Sequence, residues 1–281
     1  MTLDSTAHIM SSIGAELAGR LRLVGPDGRR RQPPGEPPAL VLVAHGSRDP
    51  RALRTVRALM DRVSRTRPGL SVHLGHIEID EPPLSGTLAA LGATDAVLVP
   101  LLLSPGHHVK RDIPEMAAAS PARARVAAPL GPHPLLVETL YDRLTEAGWP
   151  ARTDAATRRA SAVVLAAAGS RDPDSAAGTR RTARLLADRL GVPVVPAYAS
   201  AAAPTVPAAL RALAARGRHR VAVASCFTAP GRFATQCAEA APWIASAPLG
   251  DHPAMARLVL HRYDRTVAAP GTPTEPALAS A

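Results

Sequence analysis

The chain has 281 residues, 46% of them hydrophobic and only 2% aromatic, with a formal charge of +10 at pH 7. That length and apolar content suffice for two cores built from Ala, Val and Leu, while so few aromatic rings supply no base-stacking platform and argue against a nucleic-acid partner. Lys110 is the only lysine, so the charge is carried by arginines, which read as a solvated surface unless they converge on one cleft.

Residues 1–38 finish in GPDGRRRQPPGEPP, too rich in Gly, Pro and Arg to join a core, and are expected to be a flexible tail holding at most a short helix over 13–23. From Ala39 short apolar runs alternate with amphipathic stretches: strand 39–44, helix 51–67, strand 70–79, helix 83–91, strand 95–103. This is the βαβαβ order of a parallel sheet covered by helices. A polar linker, GWPARTDAATRRAS, places a boundary near residue 155. Beyond it the order returns as strand 162–168, helix 175–190, strand 192–199, helix 205–216 and strand 220–227, and residues 266–281 read as a second loose tail. The expected fold is α/β, with two similar parallel-sheet domains over 39–155 and 156–265. No uninterrupted apolar segment spans a bilayer, and Cys226 and Cys237 lack CxxC spacing. A soluble, cytoplasmic protein without a membrane partner is expected.

The halves share words as well as rhythm. VLVAHGSRDP, ending at Pro50, returns as VLAAAGSRDP, ending at Pro173; LLLSPGHH, ending at His108, returns as CFTAPGRF, ending at Phe233; APLGPHP returns as APLGDHP. Equivalents lie roughly 120 residues apart, the size of a small domain, which marks a tandem duplication. In both GSRDP turns the aspartate, Asp49 or Asp172, stands where a helix N-cap belongs and the proline at the first helical position. Asp112 and Glu115 have the spacing of a capping box and read as structural.

Three polar side chains of the first half fall at or near strand ends, where open parallel sheets bind their ligands. His45 directly follows the first strand, Glu78 lies late in the second on the face of His76 and Val72, and His108 follows the third in a Ser-Pro-Gly turn. Two imidazoles and a carboxylate with open positions suit a first-row divalent metal such as Fe²⁺ or Co²⁺. The second half is an internal control. Aligned on GSRDP and the shared prolines, it sets Ala168 opposite His45, Ser200 opposite Glu78 and Phe233 opposite His108. All three polar groups vanish together while their Gly, Ser, Asp and Pro neighbours stay, as expected for one functional site in one half.

HGSRDP, HIEIDEPPL and LLLSPGHHVKRDIP resemble the signatures of the sirohydrochlorin cobaltochelatases and ferrochelatases, the class II, ATP-independent chelatases, over residues 39–265. The resemblance implies a chelatase-like fold with the active site in the cleft between the halves. It also implies insertion of Fe²⁺ or Co²⁺ as metal substrate into sirohydrochlorin, in siroheme or cobalamin biosynthesis, with no resident cofactor. His45, Glu78 and His108 would be the metal-binding and catalytic residues. His107 stands where the family has another residue, and the DIP run favours His108; His76 either assists the site or caps its strand. Because the substrate is acidic, Ser47, Arg48, Lys110 and Arg111 are candidates for binding its carboxylates. No G-x-x-x-x-G-K-[ST] and no GxGxxG occurs, which argues against a P-loop ATPase and a Rossmann site. A non-catalytic metal or tetrapyrrole carrier and a basic polyanion-binding protein are the competing classes. With both halves in one chain, a monomer is sufficient.

Overall fold

The computed structural model describes residues 35–150 and 154–269. Most of the two expected tails and the middle of the linker lie outside these residues. Each half holds one four-stranded, all-parallel sheet. In chain order the first half comprises β1 (Ala39–Ala44), α1 (Pro50–Thr66), β2 (Val72–His76), α2 (Leu84–Leu91), β3 (Asp95–Pro100), a π-helical turn (His108–Asp112), α3 (Ile113–Ala118), β4 (Arg123–Val126) and α4 (Pro134–Glu146). The second comprises α5 (Ala155–Ala160), β5 (Ser161–Ala167), α6 (Pro173–Leu190), β6 (Val194–Tyr198), α7 (Val206–Ala214), β7 (Arg220–Ser225), α8 (Arg232–Glu239), β8 (Ile244–Ala245) and α9 (Pro253–Ala268). The strand orders β2-β1-β3-β4 and β6-β5-β7-β8 are the same topology twice.

Two expectations change in extent. The linker contains a helix, α5, which Asp154 caps by accepting from Thr157 N–H at 2.7 Å. The segment read as a loose tail from 266 begins inside a helix, because α9 runs to Ala268.

Every residue of β1 is buried, as a central parallel strand covered on both faces requires. Alternation sends Val41 and Val43 to a cluster with Leu84, Leu88, Leu98 and Ile113, and Leu40 and Leu42 to a second one. That second cluster is shared between the halves. It joins Leu40, Leu42, Val97 and Val99 to Val163, Leu165, Ala222 and Ala224, with Leu136, Leu140, Leu144, Leu258 and Val259 between them. The last helix of each half crosses to the other: α4 packs on α6 and β7, while α9 packs on α1 and β3, and the two touch one another. Matched contacts hold this exchange. Arg143 donates to Leu249 O at 3.0 Å and Arg262 to Leu130 O at 3.1 Å, and Arg67 grips Asp264 with both terminal nitrogens.

Candidate metal centre

In the first sheet β1 has β2 on one side and β3 on the other, so the chain reverses its direction of travel across the sheet at β1. A crevice at such a switch point is where open α/β sheets bind ligands. Ile77 N–H donates to Ala44 O at 2.9 Å and Leu101 N–H to Val43 O at 2.8 Å, which holds all three strand ends level. His45 leaves β1, Glu78 follows β2, and the chain after β3 returns His108 to the same edge.

The alternating sequence places Glu78 in the second strand, and the structure does not. β2 ends at His76, and Glu78 lies in the loop beyond, its N–H donating to His45 O at 3.0 Å. The loop then reverses in a γ-turn, with Asp80 N–H donating to Glu78 O at 2.7 Å and Ile79 at φ 68°. The fit against the turn after His45 is close: a Cβ on Gly46 would lie 1.9 Å from Glu78 O. Gly46, at φ +101°, therefore serves both conformation and clearance. Asp80 adds a clasp by accepting from Ser47 N–H at 2.9 Å.

His45, Glu78 and His108 each offer one ligand atom such that all three atoms lie within 4.8 Å of one another. The two imidazole rings meet nearly edge to face, centroids 4.7 Å apart at 86°. His45 and Glu78 are exposed and His108 is half-buried, so solvent and a ligand can reach the open side. The trio is a two-nitrogen, one-oxygen donor set with coordination positions to spare, suited to holding a divalent first-row metal without enclosing it.

Asp112 is the residue the sequence reading placed wrongly. It makes no capping hydrogen bond, and its φ of −60° and ψ of −47° are already helical, because the chain has been winding since His107. The π-helical turn, closed by Ile113 N–H onto His108 O, brings Asp112 beside His108. Its Oδ2 is 2.5 Å from His108 Nδ1, and its Oδ1 is 3.3 Å from His107 Nε2. The carboxylate orients the His108 ring and leaves Nε2 as its free donor. The spacing His-x-x-x-Asp on a helical stretch was the available signal. His107, adjacent to His108, is outside the trio, its side chain 70% exposed. His76 is outside it as well: it is 1% exposed, and its Nδ1 lies 3.1 Å from Pro82 O, bracing the loop from beneath.

The candidates for binding substrate carboxylates separate. Arg48 and Arg111 are exposed near His45 and His108 in sequence and engage no carboxylate among the described residues. Ser47 is occupied at both groups, its N–H by Asp80 and its Oγ by Asp49 N–H at 3.1 Å. Lys110 reaches the other half, where Asp172 and Asp174 hold its ammonium at 2.6 and 2.8 Å. The hydrogen bonds that Lys110 donates to those two carboxylates raise its pKa, and the same contact lowers that of Asp172. Asp49 caps α1 and is held down at about 2 by the side-chain and backbone donors of Arg51.

The second half repeats the scaffold without the chemistry. Ser200 N–H donates to Ala168 O, Ala202 N–H closes a γ-turn onto Ser200 O, and a Cβ on Gly169 would meet Ser200 O at 1.9 Å. The equivalences of His45 with Ala168 and Glu78 with Ser200 hold atom for atom. Gly106 and Gly231 open matching turns, with Lys110 N–H on Gly106 O and Thr235 N–H on Gly231 O, which sets Phe233 at the place of His108. The supporting carboxylates are missing too: Asp80 becomes Ala202, and Phe233 to Cys237 contains no acid. The turns of the two halves meet, since a Cβ on Gly231 would lie 3.4 Å from Ser47 Oγ and one on Gly106 3.6 Å from Ser170 Oγ.

Comparison with known proteins agrees with this architecture. The CbiX family profile matches residues 39–147 and again 162–266. A sirohydrochlorin ferrochelatase from Bacillus subtilis is 30% identical over 175 residues, 59% of this chain and 64% of that protein. A sirohydrochlorin cobaltochelatase from Methanopyrus kandleri is 31% identical over 137 residues, 39% of this chain but 96% of the relative. SirB from Bacillus subtilis, solved with Fe³⁺, superposes with a TM-score of 0.66 at 24% identity, covering 83% of this chain and 96% of SirB.

Proposed function

This chain belongs to the CbiX family, and on that premise we propose that it inserts a divalent metal, Fe²⁺ or Co²⁺, into sirohydrochlorin without nucleotide hydrolysis. The observation that carries the reading is the convergence of His45, Glu78 and His108 to within 4.8 Å in the only half that has them. The named relatives act on the same tetrapyrrole with iron or with cobalt, and a donor set of imidazole and carboxylate accepts either metal.

Insertion exchanges two pyrrole N–H protons for one M²⁺. The ion must be held tightly enough to be presented and loosely enough to leave, which three protein donors on an open face achieve better than four in a closed shell. His45 and His108 present the metal through imidazole nitrogen and accept the protons once it departs; Glu78 balances its charge while it is held. Asp112 fixes the His108 ring and stabilises the imidazolium that forms. Arg48 and Arg111 are free to meet the substrate's carboxylates, whereas Lys110 closes the seam between the halves. The substrate lies against that seam, with the second half as the other wall. Both cysteines are free thiols buried in the fold, in keeping with a reducing cytoplasm, and no described helix is long and apolar enough to cross a membrane.

The test is anaerobic incubation of the purified protein with sirohydrochlorin and Fe²⁺ or Co²⁺, followed by absorption against a no-enzyme control. Metallation is accelerated by the parent and returns to the control rate in His45→Ala and His108→Ala variants with unchanged circular dichroism. Parental rates in both variants would remove the site from the mechanism; no acceleration by the parent would remove the reaction.

A further inference from the structure

Ile79 is costly to the fold in two separate ways. It stands at the apex of the γ-turn after Glu78 with φ at 68°, where a β-branched side chain crowds its own backbone. The residue is also 58% exposed, more than any other large hydrophobic residue among the described residues. The turn itself belongs to the fold, since Ala201 closes the same turn in the second half at φ 54°. The isoleucine does not: alanine serves there, and glycine or asparagine would fit a positive φ with less strain and no apolar exposure. A single exposed isoleucine is ordinary, but backbone strain retained at an exposed residue next to Glu78 points to a function there.

The position of that residue identifies the partner. Ile79 is clamped between Glu78, whose N–H is bonded to His45 O, and Asp80, whose carboxylate holds Ser47 N–H. The apex is thereby fixed relative to Glu78 and His45. We propose that Ile79 is the platform for the apolar face of the tetrapyrrole, setting the ring's nitrogen centre over His45, Glu78 and His108 while its acidic rim meets arginine; this rests on the chelatase reading above. A flat, apolar-faced, acid-rimmed ligand requires a non-polar contact at a fixed height beside the metal donors, and a branched aliphatic group on a rigid turn supplies it.

The test compares Ile79→Asn, which tolerates positive φ but is polar, with Ile79→Leu, which restores an aliphatic group. Three quantities are read: thermal midpoint, Co²⁺ affinity without tetrapyrrole, and KM for sirohydrochlorin, supported by equilibrium binding of the metal-free ring. Ile79→Asn is expected to keep or raise the midpoint, leave Co²⁺ affinity unchanged and raise KM about tenfold, the size of effect set by losing burial of one aliphatic side chain. Ile79→Leu recovers most of the KM. A parental KM in Ile79→Asn overturns the proposal, as does a rise in KM accompanied by weaker Co²⁺ binding or a lower midpoint, which would make Ile79 a loop-shaping residue. These outcomes leave the chelatase reading standing; a parent that neither binds nor metallates sirohydrochlorin overturns both.

Discussion

Gly46 and Gly169 allow the scaffold and the metal centre to be perturbed separately. An alanine Cβ at Gly46 would sit 1.9 Å from Glu78 O, and one at Gly169 1.9 Å from Ser200 O, with φ at +101° and +91°. The obstacle in each case is backbone, so no rotamer change relieves it. Restoring ordinary contact near 3.4 Å displaces the neighbouring loop by about 1.5 Å. Positive-φ strain of about 1–2 kcal/mol and overpacking of about 1–3 kcal/mol give a loss of roughly 2–5 kcal/mol for either substitution. For a protein of this size that lowers the melting temperature by roughly 5–15 °C. The metal readout divides the two. A shift of about 1.5 Å in Glu78 is large against a metal–ligand bond of about 2.1 Å, so Gly46→Ala should weaken Co²⁺ binding by about 10–100-fold. Gly169→Ala moves only Ser200 and should leave Co²⁺ affinity at the parental value. Calorimetric melts and Co²⁺ titrations below both melting temperatures check this. Equal loss of metal affinity in both variants, or none in Gly46→Ala, would refute the claim that the loop behind Gly46 positions a ligand.

Asp112→Asn keeps the shape of the side chain but removes the charge beside His108, and Co²⁺ affinity should fall about 10–100-fold with little change in melting temperature, read by titration and circular dichroism. The capping histidines make stability depend on pH. His133 Nδ1 accepts from Leu135 N–H at the start of α4 and His252 Nδ1 from Ala254 N–H at the start of α9, so each cap requires the neutral ring. Burial first, then Arg262 and His261, lowers the His133 pKa below 6.5; burial and Arg143 lower that of His252 despite the opposing Asp142. The unfolded chain therefore binds these protons first, and stability present above about pH 6.5 is lost as pH falls towards the folded values. The double variant His133→Asn/His252→Asn keeps a capping oxygen at both helices and should show a shallower fall in melting temperature between pH 7.5 and 5; an unchanged slope would place the titration elsewhere.

Much of the sheet, and the convergence of His45, Glu78 and His108, could be read from the sequence because their signals are local. β1, β3, β5 and β7 are centred on apolar runs, and GSRDP carries its cap and first-turn proline. The errors occurred where one local pattern admits two structures. The run HLGHIEI alternates as a strand would, yet β2 stops at His76, since the γ-turn at Ile79 is stabilised by contacts with Gly46 and Ser47, some 30 residues away. Asp112 and Glu115 match a capping box, but a cap exists only where a helix begins, and this one is already under way at His108. The contact of Lys110 with Asp172 and Asp174 is invisible until the second half is placed against the first. The exchange of α4 and α9 has no short-range signature, because an amphipathic helix does not encode which sheet it covers.

That exchange explains why a half without His45, Glu78 and His108 is still needed by the half that has them. Leu136, Leu140 and Leu144 of α4 are fully buried in the shared core, and α9 returns the contact by covering β3 and α1. Removing the second half would expose three leucines at about 1.5–3 kcal/mol each, a sum comparable with the whole stability of an ordinary domain. The features kept in the second copy are those this packing and the seam use. Gly169 clears the loop at Ser200, Ser170 meets the turn at Gly106, and Asp172 caps α6 while holding Lys110, two residues from His108. The features absent are the side chains of His45, Glu78 and His108, with the carboxylates Asp80 and Asp112 that brace them. A tandem chain can lack one such trio without loosening the other, because the bracing that crosses the seam runs through the turns and through Asp172 and Asp174, and neither depends on a metal in the second half.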